Sequence, residues 1–251
     1  MKLSADLNAD LGEGSGHDDE LFELISSANI ATGFHAGDSD TMHAAVCAAK
    51  EHGVAVGAHP SFFDRENFGR KELKVSNEEV LDAVAYQLGI FQAIAFAAGM
   101  RPNHVKPHGA LYNMAVRDEK LADAIARAIV SVDAKLVLFA PDNTELARAG
   151  EAHGLQVARE IFADRNYLND GWLVPRTRPD ALLRDPKEAA QRVLRMLREG
   201  KVRSVEGRDV DVRGETICVH GDTPGAVEFA RELRTQLERE GVRISAPRSS
   251  L

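Results

Sequence analysis

LSADLNADLGE (residues 3–13) carries polar side chains at alternate positions of an otherwise apolar run. In an extended strand alternate residues share a face, so Asp6, Asn8 and Asp10 project to the same side. We predict that they face one rim of a barrel, where Glu13 adds a third carboxylate. Clustered carboxylates can raise the pKa of one member enough to make an acid or base near neutrality. The structural alternative is a solvated strand end or a turn held by Asx hydrogen bonds.

Four histidines occupy the same relative place, each just after an apolar run of strand composition: His35, His59, His108 and His220. In α/β barrels the catalytic residues come from the C-terminal ends of several strands. We therefore predict an enzyme in which these histidines meet at one rim, with Asp10 and Lys106 between them. His104 stands at the start of its strand, so we expect it at the opposite rim.

Strand and helix patterns alternate along the whole chain. The predicted strands are 2–7, 28–32, 54–58, 104–106, 135–139, 156–161 and 216–220. The predicted helices are 18–26, 39–52, 77–99, 118–130, 143–153, 186–198 and 224–241. Seven strand–helix units in a row predict a parallel α/β sheet. We expect one (β/α) barrel domain over residues 1–251, with a hairpin at about 201–214 where apolar and polar residues alternate around a glycine.

Composition excludes several classes of function. The chain has 251 residues and a net charge of −8, whereas a nucleic-acid or anionic membrane surface calls for a basic face. The N-terminus lacks a signal-peptide pattern and no uninterrupted apolar run has membrane-spanning length, so we expect a cytoplasmic location and no membrane contact. Cys47 and Cys218 lie in apolar surroundings and are expected to be small core residues.

Nucleotide-binding motifs are absent from the chain. Neither G-x-x-x-x-G-K-S/T nor a correctly spaced dinucleotide fingerprint occurs, and H-E-x-x-H and G-x-S-x-G are also missing. Any nucleotide chemistry must therefore use a nonstandard site or a partner chain.

Further site candidates lie in the loops that follow the predicted strands. Asp38 in GFHAGDSD (residues 33–40) is one, with a helix N-cap as the alternative. Arg70 could bind a carboxylate or phosphate bidentately, or could form a surface ion pair. Lys106 could stabilise an oxyanion or phosphoryl group, or could pair with a carboxylate such as Asp10 for stability.

Three more segments complete the candidate set. Tyr112 follows Lys106 and His108 closely. The polar run at residues 159–176 includes Asp164 and Arg165, although such a run is often an ordinary loop. HGDTPGA (residues 220–226) joins a strand end to a helix start, where backbone N–H groups can hold an anion; it adds Asp222 to His220.

Six motifs, in order over almost the whole chain, resemble the LamB/YcsF family: LNADLGEG, SANIATGFHAGD, VAVGAHPSFFD with NFGR, HVKPHGALYN, EIFADRNYLNDGWLVPR and TICVHGD. The resemblance implies a seven-stranded, incomplete TIM-like barrel, similar to the glycoside hydrolase/deacetylase superfamily. It also implies ATP-dependent hydrolysis of 5-oxoproline (pyroglutamate) to L-glutamate, in a multi-subunit 5-oxoprolinase that contains B and C subunits. ATP would be a co-substrate whose site the partners could share.

The implied reaction suggests roles for the candidates. Cations for phosphate and carboxylate would be Lys106, Arg70 and Arg165. The base would come from Asp10, His35 and His59, and the acid for the ring nitrogen would be His108 or His220. Contacts to the substrate are expected from Asp6, Asn8, Glu13, Asp38, Arg70, Tyr112, Asp164, Arg165 and Asp222.

Two other functions stay open at this point. Asp10, His35 and His59 could hold a divalent ion in a stand-alone hydrolase of the deacetylase type. Alternatively, the chain could be a substrate-binding subunit whose catalytic groups lie in its partners.

Overall fold

The computed structural model describes residues 3–219 and 225–248. Seven parallel strands close into a barrel, since each strand pairs with the next in sequence and the seventh pairs with both the sixth and the first. These strands are β1 (Ser4–Leu11), β2 (Ser27–Ala31), β3 (Ala55–His59), β4 (His104–Val105), β5 (Val137–Ala140), β6 (Val157–Phe162) and β9 (Thr216–Val219). The predicted seven-stranded barrel is confirmed.

Three short strands lie outside the barrel circuit. β7 (Lys201–Arg203) and β8 (Asp209–Asp211) form an antiparallel hairpin. β10 (Arg243–Ile244), which the sequence pattern did not predict, adds to the edge of β1 at Ser4 and Ala5.

Helices surround the barrel and begin at well-defined caps. They are α1 (Asp18–Phe22), α2 (Ser39–His52), α3 (Asn77–Ala97), α4 (Gly109–Ala115), α5 (Glu119–Asp133), α6 (Glu145–Ala152), α7 (Pro186–Glu199) and α8 (Ala226–Arg239). Ser76 begins α3 with a reciprocal capping box to Glu79, and Pro186 occupies the first turn of α7. Both devices satisfy or remove N–H groups that the first helical turn leaves unpaired.

Apolar and polar side chains lie on opposite faces of the barrel strands. On β1, Leu7, Ala9 and Leu11 join the apolar core, while Asp6 and Asn8 are also buried but polar. Because side chains alternate along a strand, the apolar set packs under the helices and the polar set fills the barrel interior. TIM barrels are usually filled by branched apolar residues. Here the interior is a polar network, and its members must find hydrogen-bond partners inside the protein.

Two expectations about this interior were wrong. β1 continues to Leu11 rather than ending at residue 7, so Asp6 and Asn8 lie within the barrel and only Asp10 reaches the rim end of the strand. The ring of His104 also lies inside the barrel, where Nε2 is 2.9 Å from Asn29 Oδ1. Gly57 makes room for it, because a Cβ there would be 2.2 Å from the His104 ring.

The longest helix, α3, is also apolar. Its most apolar window has a mean hydropathy of 1.5 and is 33% buried, and by length and composition alone α3 could cross a membrane. Val84, Leu88 and Phe91 of this helix are buried in the hydrophobic core. The expectation of no membrane contact stays a prediction.

Candidate functional site

Three of the four predicted rim histidines meet around one carboxylate. Glu13 Oε1 lies 3.0 Å from His35 Nε2, 3.3 Å from His108 Nδ1 and 3.7 Å from His59 Nε2. The rings of His35 and His108 stack with centroids 3.9 Å apart. His220 and Asp222, the remaining predicted members on the last strand, lie outside the described residues.

The loop after β3 holds these histidines in place. Phe68 and Gly69 both adopt left-handed backbone conformations, with φ of 55° and 64°. A Cβ at Gly69 would come within 2.2 Å of Ser61 Oγ and 2.9 Å of His35 Cβ, so the loop packs directly on the histidines. Phe68 also accepts a hydrogen bond through its carbonyl oxygen from His108 Nε2, at 2.9 Å.

Burial sets the protonation of the cluster. Desolvation, aided by the nearby charge of His59, lowers the pKa of His35 to about 2 and also lowers that of His108. His59 is different: burial lowers its pKa, but Asp10 and Glu13 more than offset this, so the pKa of His59 is raised. Near neutral pH, His35 and His108 are therefore neutral imidazoles, whereas Asp10 and Glu13 favour the protonated form of His59 more than in a free imidazole.

Lys106 lies next to this cluster, at the end of β4. Its Nζ is 2.9 Å from Asp10 Oδ1, 3.1 Å from Glu160 Oε1 and 3.0 Å from Cys218 Sγ. Burial lowers the pKa of Lys106, yet Asp10, Cys218 and Glu160 outweigh that effect and raise it well above its ordinary value. Lys106 is therefore a buried cation that keeps its proton near neutral pH. The ion pair with Asp10 that was considered from sequence is present, and the role of Lys106 in stabilising an oxyanion or phosphoryl group stays a prediction.

Glu160 connects Lys106 to two other predicted residues. It accepts a hydrogen bond from Tyr112 Oη at 2.6 Å and one from Asn8 Nδ2 at 3.2 Å. Burial, together with the charge of Glu160, raises the pKa of Tyr112 well above its ordinary value. The phenol therefore stays protonated and donates a hydrogen bond to Glu160. Asn8 Oδ1 accepts from Asn29 Nδ2 at 2.7 Å, and Asn29 also donates to Asp10 Oδ1 at 2.9 Å.

Asp6 occupies a separate layer deeper in the barrel. Its Oδ1 accepts from Ser26 (2.6 Å) and Ser27 (2.8 Å), and its Oδ2 accepts from Thr216 (2.6 Å). Burial raises its pKa to about 6, although the hydroxyl donors act in the opposite direction. Asp6 was predicted at the rim as a substrate contact. Its carboxylate instead accepts hydrogen bonds from these hydroxyl groups inside the barrel.

The other predicted contacts surround the rim. Asp38 is exposed and caps α2 by accepting from Thr41 N at 2.9 Å, which is the alternative considered from sequence. Arg70 is exposed, with its guanidinium 4.9 Å from the centroid of the Phe68 ring. Asp164 and Arg165 are buried beyond the end of β6, where Arg165 Nη2 donates to Val174 O at 2.7 Å.

Four residues of the interior were not among the predicted site residues, although Glu160 lies in the polar run at 159–176: Asn29, His104, Glu160 and Cys218. The apolar neighbours of Cys218 predict a core residue, but its thiol contacts Lys106. The missed signal is the period of two within each strand: Thr216 and Cys218 alternate with apolar Ile217 and Val219. The same pattern on β2 alternates Ser27 and Asn29 with apolar neighbours.

A metal ion is the cofactor that these residues could hold. Glu13, His35, His59 and His108 each offer a ligand atom, and the four atoms lie within 4.8 Å of one another. Imidazole nitrogen combined with one carboxylate oxygen is a ligand set used for zinc. The metal site predicted from sequence consisted of Asp10, His35 and His59. The structure retains the two histidines and replaces Asp10 with Glu13 and His108.

The LamB/YcsF family model matches residues 5–251 of the chain. The chain belongs to the LamB/YcsF family. A protein of Bacillus subtilis (strain 168), named as the A subunit of 5-oxoprolinase, is 48% identical to it over 246 residues, which cover 96% of each chain. The resemblance found in the six motifs is thus confirmed over nearly the full length.

Solved structures of similar proteins agree with this fold. The Lactam Utilization Protein from Thermus thermophilus is 47% identical, with a TM-score of 0.92 over 98% of this chain and 100% of that one. The polysaccharide deacetylase Bc1974 from Bacillus cereus is 14% identical, with a TM-score of 0.51 over 98% of this chain and 92% of that one. The second likeness concerns the barrel fold alone. The names of the Bacillus subtilis and Thermus thermophilus relatives support a hydrolase role for the family.

Proposed function

We propose that this LamB/YcsF chain is the A subunit of a multi-subunit 5-oxoprolinase, which hydrolyses 5-oxoproline to L-glutamate with consumption of ATP, together with the B and C subunits. The relative from Bacillus subtilis carries the name of that component, and the match covers 96% of both chains. The word subunit in that name implies partner chains.

The observation that carries the proposal is that a buried cation lies beside the histidine cluster, joined to it through Asp10. Lys106 lies 2.9 Å from Asp10 Oδ1, and Asp10 Oδ2 lies 3.4 Å from His59 Nε2 at the edge of the histidine cluster. A buried cation stabilises negative charge far more effectively than an exposed one, because little water screens it. Opening a lactam requires such charge stabilisation beside a group that can take a proton from water.

The chemistry divides into an activation and a ring opening. The carbonyl oxygen of 5-oxoproline attacks the γ-phosphorus of ATP and ADP leaves, which makes the ring carbon a strong electrophile. Water adds to that carbon while a base drawn from Asp10, His35 and His59 accepts its proton. The C–N bond then breaks and the ring nitrogen takes a proton, giving an acyl phosphate. A second water releases phosphate and leaves L-glutamate.

Partner subunits complete this scheme. The chain lacks a Walker-type phosphate loop, so the nucleotide site is expected to form with the B and C subunits. ATP as co-substrate is also why we infer a cytoplasmic location, which fractionation of the native organism would check.

The test is ATP-coupled release of glutamate from 5-oxoproline. The purified chain alone should release little or none, whereas addition of the B and C subunits should give turnover that requires ATP. Full turnover by the isolated chain contradicts partner dependence. Absence of turnover by the correctly assembled complex contradicts the reaction itself.

The metal-ligand cluster favours a second candidate, a stand-alone hydrolase that needs a divalent ion and no ATP. In that case Glu13 and the three histidines would hold an ion that activates water. The two candidates differ in one measurement, since the second predicts turnover without ATP that a chelator abolishes.

A further inference from the structure

His59 and His108 have their tautomers fixed by the backbone. His59 Nδ1 lies 2.6 Å from Lys106 O, and His108 Nε2 lies 2.9 Å from Phe68 O. A carbonyl oxygen can only accept a hydrogen bond, so both of these nitrogens carry protons. In a neutral imidazole the other ring nitrogen is then a lone-pair acceptor.

Those two lone-pair nitrogens face each other. His59 Nε2 and His108 Nδ1 are 2.9 Å apart, and both side chains are buried. Two lone pairs at this distance repel each other unless both nitrogens bind a shared cation. That cation is either a proton, which would make one ring an imidazolium, or a metal ion that both nitrogens bind.

The surroundings of the pair favour the metal cation. A shared proton needs only two acceptors, yet Glu13 Oε1 and His35 Nε2 converge on the same point, 3.0 Å from each other. The Nδ1 atom of His35 is buried and makes no hydrogen bond to any residue within 3–219 and 225–248, so these residues do not prevent His35 Nε2 from presenting its own lone pair. Three imidazoles and one carboxylate complete a four-ligand set.

We infer that Glu13, His35, His59 and His108 bind one divalent transition-metal ion. Imidazole donors select ions of the zinc, cobalt and nickel class, whereas calcium and magnesium prefer sets made of oxygen atoms alone. The carbonyl oxygens of Lys106 and Phe68 supply the outer hydrogen bonds that orient histidine ligands in metal sites. The close packing of Gly69 on His35 and His108 holds the ligands together before any ion arrives.

Glu13, not Asp10, is the carboxylate of this set. Asp10 Oδ1 accepts hydrogen bonds from Lys106 Nζ and Asn29 Nδ2, both at 2.9 Å. These contacts occupy Oδ1, and Lys106 offsets the charge of Asp10. Asp10 Oδ2 lies 3.4 Å from His59 Nε2, whereas Glu13 Oε1 lies within 3.7 Å of all three imidazoles. The inference rests on the geometry of four side chains, so it stands whether or not the chain hydrolyses 5-oxoproline.

Metal binding is measured directly, without an activity assay. Protein purified without chelator, stripped and then titrated with Co²⁺ should bind one ion per chain, with the visible absorption of Co²⁺ in a nitrogen and oxygen site. Glu13→Gln and His108→Gln should each weaken the affinity for Co²⁺ and Zn²⁺ at least about tenfold, because even the loss of an outer hydrogen-bonding partner of a ligand costs about that much. Asp10→Asn should retain the ion, and His153→Gln, at an exposed histidine outside the cluster, is the matched control.

Folding of each variant is checked by circular dichroism. If a variant does not fold, the stripped wild-type chain replaces it: Zn²⁺ should raise its melting temperature and a chelator should reverse the rise. Failure of the folded wild-type chain to bind Co²⁺ or Zn²⁺ overturns the inference in favour of a shared proton. Equal loss of the ion from Asp10→Asn and Glu13→Gln overturns the choice of Glu13.

Discussion

Lys106 and Glu160 form an ion pair inside the barrel, with Nζ 3.1 Å from Oε1 and side chains 4% and 0% exposed. Asp10 shares the same ammonium group, so one cation faces two carboxylates. Removing one partner of a buried pair leaves an uncompensated charge, which costs about 3–5 kcal/mol. A lysine in this position is therefore needed for stability whatever it contributes to catalysis.

We predict that Lys106→Met lowers both stability and turnover. The melting temperature should fall by roughly 6–20 °C, from the cost of the uncompensated carboxylates and the usual shift per kcal/mol for a chain of this size. Turnover by protein that is still folded should fall by about 10²–10³, the loss seen when one charge-stabilising group is removed. Calorimetry and the glutamate assay measure the two effects.

The double variant Lys106→Met/Glu160→Gln separates the effect on stability from the effect on turnover. Neutralising Glu160 removes one of the two unpaired charges, so part of the lost melting temperature should return. Turnover should stay low, because the cation is still missing. Recovery of both together would show that Lys106 has only a stabilising role.

Gly57→Ala tests the packing that admits His104 to the barrel interior. The added Cβ would lie 2.2 Å from the His104 ring, which is buried, stacked on Phe139 and 2.9 Å from Asn29 Oδ1 through Nε2. Overpacking of this kind costs about 1–3 kcal/mol. Gly89→Ala is the matched control, because Gly89 lies in α3 and a Cβ there meets no atom within 4 Å.

The control should be stabilised by about 0.5–1 kcal/mol, since alanine is the better helix former. Chemical denaturation of both variants gives the comparison. If Gly57→Ala is as stable as the wild-type chain, His104 does not occupy the position described.

The sequence predicted the barrel because its signals are local. Strand periodicity, helix caps and polar residues after strands all lie within a few positions of one another, and they were sufficient for seven strands and for the cluster of His35, His59 and His108. The depth of each polar residue in the barrel is not a local property. Asp6 is satisfied by Ser27, 21 residues away, and by Thr216, 210 residues away. No window of sequence contains those partners.

The end of β1 shows the same limit. The predicted strand ends at residue 7, although Asn8 and Asp10 continue the alternation of polar and apolar residues beyond it. In the structure Asn8 to Leu11 pair with Ser27 to Ile30 of β2. The polar side chains are tolerated in the barrel because Asn29 of β2, Thr216 of β9 and Lys106, directly after β4, bind them.

Arg70→Lys should affect substrate affinity more than stability. Arg70 is exposed, lies over the ring of Phe68 and contributes to the potential at His35. If it binds the carboxylate or a phosphate bidentately, lysine keeps the charge but loses the planar geometry. We expect kcat/KM to fall about 10–100-fold, mainly through KM, with the free energy of unfolding unchanged within about 0.5 kcal/mol. A fall in kcat alone would contradict a binding role.

Asp6 gives a prediction about pH. Its pKa in the folded chain is about 6, against 3.8 in the absence of the fold. Below pH 3.8 the carboxyl group is neutral in both states. As the pH rises toward 6, the unfolded chain loses the proton first, so the folded state loses stability relative to the unfolded state, on the order of 3 kcal/mol in total, with no further change above that range.

Asp6→Asn cannot titrate, so the free energy of unfolding of this variant should lack that change. The difference between variant and wild type should therefore shift in favour of asparagine by on the order of 3 kcal/mol between about pH 3.5 and pH 7. Urea denaturation of both proteins at constant ionic strength across this range measures the difference, in which the titrations common to both chains cancel. A difference that does not change with pH would mean that the hydroxyl groups of Ser26, Ser27 and Thr216 fully compensate the burial of the carboxylate. A shift in favour of aspartate as the pH rises would mean that these donors lower the pKa of Asp6 rather than allow it to rise.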